Sequence, residues 1–288
     1  VTGVQTCALP IYNRHLVTQE VFKENPTLDK NYGGFNYSFG FSRSTNKSTT
    51  RVSVSSGYRA PHSIELLSNG LHHATLTYDI GDINLKSENA TQMDASYEIH
   101  REHLEFIINP FFNSINNFIY NNPTANFIDG YQVFEYTQLQ RASISGGSVG
   151  FHYHPHYIDN LHLESSYSHL YAFDQDNNPI PRIPQNRLNT FLKYETKQTS
   201  KLKLKNIVLQ HQYFFDQDRI GVNETVTASY QLINLGGNLA FEGKYPVELG
   251  LGVKNLLNEA YVDHLSRLKN LGLQNHGRNI YGIFKINI

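Results

Sequence analysis

Tryptophan is absent from the 288 residues, and methionine and cysteine occur once each. No stretch approaches the ~18 consecutive apolar residues that a spanning helix requires, so membrane helices are excluded while membrane strands are not. An excess of charge of either sign is also missing. Lys and Arg number 24 against 25 Asp and Glu, which excludes the basic footprint of a nucleic-acid binder and a polybasic membrane patch. The chain has no nucleophile elbow, zinc-hydrolase helix or phosphate-binding glycine loop, and reads as a non-enzyme without a bound cofactor. Asp174 to Asn178 (DQDNN) lacks the glycine and closing glutamate of a calcium loop and reads as a solvated loop tip. Gly146-Gly147 and Gly236-Gly237 lie in strand-like contexts, where bulges or close packing use glycine.

The first eleven residues, VTGVQTCALPI, are the frame translation of a common sequencing-adapter oligonucleotide. Residues 1–11 are therefore set aside from fold reasoning. Cys7 is then not native, and the natural protein is expected to continue upstream of Tyr12, where any signal peptide would lie.

Tyr (19) and Phe (17) are plentiful, and they fall in a period-2 pattern. Phe35, Tyr37, Phe39 and Phe41 alternate with Asn36, Ser38, Gly40 and Ser42; Val247, Leu249, Leu251 and Val253 oppose Glu248, Gly250, Gly252 and Lys254. Such segments predict strands near 35–43, 50–58, 88–100, 103–120, 133–154, 160–173, 187–196, 201–214, 226–241, 246–255 and 278–288, with phase slips near Asn206 and Asn234 that mark bulges or misjudged boundaries. The connections alternate strictly. Short links fall at 44–49, 101–102, 155–159, 197–200 and 242–245, and long ones at 59–87, 121–132, 174–186, 215–225 and 256–277. In an up-and-down barrel every second connection lies on the same rim, so one rim carries tight turns and the other long loops. A Greek-key sandwich has no reason to sort its loops this way. Many strands exceed the usual five or six residues and suffice to cross an apolar band ~25 Å tall. Tyr58, Tyr97, Tyr120, Tyr153, Tyr171, Tyr213, Phe214 and Phe215 are placed to form interfacial girdles. The expectation is an all-β, up-and-down antiparallel transmembrane barrel. With about eleven strands it should be incomplete, a curved half-barrel, since bacterial single-chain barrels have even strand numbers.

Particular residues resemble a family. Tyr58-Arg59-Ala60-Pro61, then Glu65-Leu66 and Gly70, are similar to the "FRAP … EL … G" segment of TonB-dependent receptors, with Tyr58 in place of Phe. Phe111 to Ile119 resembles their "FYN.I.DFI" strand end. Asn255-Leu256-Leu257-Asn258-Glu259-Ala260-Tyr261 resembles "NLFN..Y", and Gly277-Arg278 the opening of the last strand. The ordered set runs from about Asn31 to the C-terminus, although the chain ends in Ile288 where these barrels usually end in an aromatic. The resemblance implies that residues 12–288 are the C-terminal half of a 22-stranded barrel in the outer membrane of a Gram-negative bacterium. The plug and first barrel half would be absent, and segments 59–87 and 256–277 would be extracellular loops. It also implies energy-coupled uptake of a scarce ligand, a small molecule or metal. The partners implied are outer-membrane lipid, a TonB complex reached through the missing N-terminal region, and the barrel assembly machinery acting on the last strand. A passive porin or surface adhesin on the same architecture is the alternative.

The fourteen histidines invite a haem or metal reading, because neutral imidazole is a good ligand for iron and zinc. In haem receptors of the family a histidine between the segments that Tyr58–Pro61 and Asp82–Leu85 (DINL) resemble helps capture haem, which points to His72 or His73, with His62 as a third candidate. The other reading of these residues is ordinary polar contacts in a loop. His264 and His276, with Arg267 and Lys269, are candidates to approach ligand from the last long loop. His152, His154 and His156 share one side of a strand, an attractive metal spacing at a short turn. Haem, zinc and an iron–siderophore all fit as transported ligand.

Overall fold

A computed structural model of the chain describes residues 2–17, 28–155, 157–158, 160–196, 202–243 and 245–286. His156 and Ile288, singled out above, lie outside them. The long strands are β1 (Thr2–Val17), β2 (Leu28–Ser44), β3 (Ser48–Arg59), β6 (Glu88–His100), β7 (Leu104–Ile128), β8 (Tyr131–Tyr153), β9 (Leu161–Asp174), β10 (Arg187–Glu195), β11 (Leu202–Phe214), β12 (Tyr230–Phe241), β13 (Val247–Lys254) and β14 (Asn279–Ile286). Each pairs antiparallel with the next along one path from β1 to β14, and no pairing between β1 and β14 occurs among the described residues, so the sheet is open. Short β4 (Asn69–His72), β5 (Thr77–Ile80) and a one-turn helix α1 (Ser63–Leu67) sit within the link after β3.

All eleven predicted strands are present, as β2, β3 and β6 to β14. Residues 2–11, set aside on sequence grounds, form most of β1 and pair with β2 from Arg43 to Gly34. An edge strand offers a row of unpaired main-chain groups, and pairing to it demands little of the side chains. Three expectations need correction. The link at 121–132 is not a loop, because β7 and β8 continue to Ile128 and from Tyr131, leaving only Asp129 and Gly130 between them. Both turn residues have positive φ (51° and 83°), as a two-residue type I′ hairpin requires. That Asp-Gly pair was readable in the sequence. The bulge near Asn206 occurs between Leu204 and Asn206, whereas the ladder through Asn234 keeps its register, and the strand expected from residue 226 begins at Tyr230.

Register builds two chemically distinct faces. Leu163, Leu192, Leu209, Leu235, Val253 and Ile280 pair in sequence across six strands, and Phe39, Val54, Met93 and Phe112 do so across four. Most of these side chains are exposed. On a water-soluble monomer so broad an apolar band would be a liability, and the transmembrane barrel expected from the sequence would turn such a face to lipid. The opposite face carries amides and ion pairs. Gln210 Nε2 donates to Asn189 Oδ1 at 2.9 Å, Asn234 Nδ2 donates to Gln210 Oε1 at 2.9 Å, and Asn238 Nδ2 donates to Asn206 Oδ1 at 2.9 Å. Arg51 pairs with Glu98 and Lys205 with Glu248 on the same side. Of the expected girdle aromatics, Phe214 lies on this polar face, stacked on Tyr230 with ring centroids 4.5 Å apart. Parity explains it: Tyr213 and Phe215 point the other way, edge-to-face at 4.8 Å.

Gly146 and Gly147 mark close packing. A Cβ on Gly146 would lie 2.5 Å from the His169 carbonyl oxygen and one on Gly147 2.6 Å from that of Asn109, while the ladder keeps its register there.

The link after β3 is tied to the wall by charge. Arg59 Nη1 donates to both Glu65 carboxylate oxygens (2.9 and 2.8 Å), and its Nε donates to Glu88 Oε2 at 2.5 Å. The other oxygen of Glu88 accepts the Ile119 main-chain N–H at 2.6 Å. Glu65 Oε2 also accepts the His62 N–H at 2.7 Å, starting α1. Beneath these pairs, Leu66, Leu85 and Ile119 form a buried apolar cluster. The Arg-Ala-Pro and Glu-Leu boxes are therefore the two ends of one clamp.

Two outcomes follow from this packing. Gly147→Val should destabilise the sheet by about 1–3 kcal/mol through overpacking. Gly57→Ala, whose added methyl meets its nearest atom at an ordinary 3.7 Å, should be near silent. Urea unfolding followed by gel-mobility shift compares the two, and equal midpoints would refute the close-packing account. Arg59→Gln should speed proteolytic cleavage within 60–87 by about tenfold, since a clamp that leaves two largely buried carboxylates without their cation loses at least ~1.4 kcal/mol. Cleavage at the wild-type rate would mean that the apolar cluster alone holds the link.

Candidate functional site

Four long connections meet above the strand ends. The link 175–186 folds back so that Ile180 packs with Ala142 and Ala172. Gln217 is almost fully buried, and its Nε2 donates to the carbonyls of Ile183 (2.8 Å) and Pro184 (3.2 Å). Asn223 Nδ2 donates to the Pro123 carbonyl at 3.0 Å, and Asn270 Nδ2 to Gln132 Oε1 at 2.9 Å. β5 adds to β8 in parallel, pairing Thr77–Ile80 with Gln132–Glu135. Segments far apart in sequence are thereby knitted into one surface by side-chain amides.

A pocket opens where these segments meet, with Thr77, Phe134, Arg182, Glu224, His264 and Arg267 in its lining, along with Lys269. Three cationic side chains stand around one carboxylate. Arg182 has φ 64°, an unusual backbone state for a non-glycine residue, and its guanidinium lies 4.7 Å from the Phe134 ring centroid. Burial, followed by the nearby charge of Arg267, pushes Arg182 down to about 10, so it still carries its charge at neutral pH. Burial by itself would raise Glu224. The His264 ring and the N–H groups of Arg182 (2.9 Å) and Gly221 (3.1 Å) outweigh it and hold the carboxyl below its ordinary value. Burial also lowers Lys269.

The predicted site residues divide between this pocket and its surroundings. His264 and Arg267 line it. His264 is buried, with Nε2 3.1 Å from Glu224 Oε1 and Nδ1 2.8 Å from Thr227 Oγ1, so both ring nitrogens already face protein oxygens. His72 is exposed at the end of β4, directly across from the pocket residue Thr77, and its Nδ1 contacts Thr75 Oγ1 at 2.8 Å. His73 follows in the exposed turn. His62 precedes α1, and His276 is exposed in the last long link.

The family-motif residues near the C-terminus shape the last loop. Asn255 and Asn258 both have positive φ (50° and 56°). Asn255 Nδ2 donates to the Glu259 carbonyl at 2.8 Å, its Oδ1 accepts the Glu259 N–H at 2.7 Å, and Asn258 Oδ1 accepts the Arg278 N–H at 2.9 Å. A Cβ on Gly277 would meet that same Asn258 oxygen at 2.8 Å, which accounts for glycine there. Tyr261 stacks on Tyr230 at 4.6 Å.

Sequence reasoning missed Arg182 and Glu224. Neither lies in a motif, and the contact between them joins residues 42 apart in the chain. It also grouped His152 and His154 with His156, whereas the structure brings in His162 from the next strand. Burial, then the imidazoles of His152 and His162, hold His154 below its ordinary value.

The profile of the family described as "TonB dependent receptor-like, beta-barrel" matches residues 12–256. Among solved structures, the chain is similar to "Copper transporter OprC" (18% identity, 90% of this chain and 40% of that one, TM-score 0.73). It is also similar to the FrpB iron transporter from Neisseria meningitidis, F5-1 variant (17% identity, 99% and 44%, TM-score 0.68). A third is the siderophore receptor PirA from Acinetobacter baumannii (14% identity, 97% and 45%, TM-score 0.63). At such identities the likeness is one of fold, and the chain spans less than half the length of each of these proteins. With the family profile matching most of its length and a fold laid out as theirs is, this chain belongs to the TonB-dependent receptor β-barrel family.

Proposed function

We propose that the chain is part of an outer-membrane receptor that takes up a scarce metal or metal chelate by TonB-dependent transport. The observation that carries this reading is the family match over residues 12–256. The similar structures named above are a copper transporter, an iron transporter and a siderophore receptor, which supports a metal-bearing ligand over an organic nutrient. The apolar face would contact lipid, and the barrel assembly machinery would act on β14. The TonB complex would couple through a segment outside this chain, and residues 1–11 would be foreign to the natural protein.

The pocket at the long-link rim is small, about 50 Å³, and would receive one anionic edge of a ligand rather than enclose it. Arg182, Arg267 and Lys269 outnumber Glu224, and planar guanidinium groups pair well with the oxygens of an anionic chelate. Water is partly excluded there, which strengthens such contacts. His72 and His73, beside the pocket at the β4–β5 tip, would supply imidazole to haem or zinc if the ligand is one of those.

The test measures uptake and cell-surface binding of haem, zinc and a ferric siderophore by the full-length receptor, in cells with and without TonB. Uptake of one of the three should require TonB. For an anionic chelate, the double variant Arg182→Ala, Arg267→Ala should bind at least about tenfold more weakly, ~1.4 kcal/mol. For haem or zinc, His72→Ala with His73→Ala should do so. Uptake that persists without TonB would establish a passive porin instead, and equal binding by all variants would remove the pocket and the histidine pair as the capture site.

A further inference from the structure

At the opposite rim, three imidazoles converge on the polar face. His152 is the penultimate residue of β8, His154 follows that strand, and His162 lies near the start of β9. Pairing of His152 with Glu164 and of Tyr153 with Leu163 brings the two strands into register, and the His154 N–H is fixed to the His103 carbonyl at 2.9 Å. Each histidine offers one ring nitrogen, and the three nitrogens lie within 4.8 Å of one another. Among the described residues this is the group of three potential ligands that meets such a limit.

We propose that His152, His154 and His162 bind a borderline divalent cation, Zn2+ or Cu2+, at the short-turn rim. The spacing fits. His152 Nε2 and His162 Nδ1 are 3.4 Å apart, and two nitrogens held ~2.05 Å from a tetrahedral ion would be separated by about 3.3–3.4 Å. His154 completes the set from above, its ring centroid 4.1 Å from that of His152 and 4.3 Å from that of His162.

The second nitrogens strengthen the case. With His152 Nε2 on the ion, its Nδ1 faces Glu105 Oε2 at 3.8 Å; with His162 Nδ1 on the ion, its Nε2 faces Glu195 Oε2 at 3.9 Å. A ligating histidine that turns its other N–H toward a carboxylate is the usual outer shell of a metal site, because it fixes the ring's tautomer and raises ligand basicity. Glu164 Oε1, 3.7 Å from His152 Nε2, is placed to supply the fourth ligand. Three imidazoles and a carboxylate suit Zn2+ or Cu2+ and not the all-oxygen preference of Ca2+ or Mg2+. In this family short turns face the periplasm, so the ion would be bound on the side remote from the capture pocket. That placement, and only that, rests on the receptor reading.

The test titrates Cu2+ into the full-length receptor in detergent and reads the nitrogen hyperfine structure by EPR, with Zn2+ affinity measured by competition against a chromophoric chelator. One Cu2+ with three nitrogen ligands is expected, displaced by Zn2+. His154→Ala with His162→Ala should abolish that signature and weaken Zn2+ binding at least tenfold, and Glu105→Gln should weaken it by about tenfold. His72→Ala with His73→Ala should leave the signal intact, which separates this site from ligand capture. A wild-type spectrum with fewer than two nitrogens would overturn the proposal. So would unchanged Zn2+ affinity in the rim double variant. If that variant does not fold, the wild-type spectrum and the Glu105→Gln affinity decide. Loss of TonB dependence would sink the transport reading and leave this result standing.

Discussion

The main-chain ladder is the constraint on which the rest of this fold depends. Every long strand pairs with its neighbour in the path, so N–H and C=O groups are satisfied between segments, as hydrocarbon surroundings demand of a barrel wall. Once the ladder is fixed, side-chain parity does the remaining work: one set of alternate residues forms the apolar belt, the other the amide and ion-pair face. A slip of one residue would exchange them. The single bulge in β11, at Leu204/Asn206, is thus consequential, because it puts Leu202 and Leu204 on the same face as Ile207 and Leu209.

The two rims solve different problems. At the short-turn rim the chain reverses quickly, and charged and imidazole side chains crowd the turns, His100 with Glu98 and Glu105 among them. At the long-link rim only β4, β5 and the tall β7–β8 hairpin extend the ladders among the described residues. Carboxylates and amides supplement strand pairing there: Glu88 bridges Arg59 and the Ile119 N–H, and Gln138 donates to both the Lys86 and Asn117 carbonyls at 2.7 Å. The pocket is a product of this knitting, since its walls come from five separate stretches of chain.

Much of the architecture was legible in the residues. Alternation gave the strands, and connection length gave the sorting of rims. The motif boxes gave the family. The Arg59, Glu65 and Asn258 boxes are recognisable because they hold local loop geometry, which constrains sequence at fixed spacing. The tall β7–β8 hairpin escaped because Asn121 to Phe127 lacks clean alternation around Pro123, where the ladder shifts register.

The sequence by itself determined the period-2 faces, the turn chemistry and the family, since each rests on contacts between residues close in the chain or on a fixed spacing. The tertiary structure alone decided which side chains meet. The Glu224 carboxylate meets the Arg182 main-chain N–H, and His162 joins His152 and His154, only because hairpin register and loop packing place distant residues within a few ångströms. No periodicity encodes such meetings: they depend on how the strands are staggered, and stagger is a property of the assembled sheet.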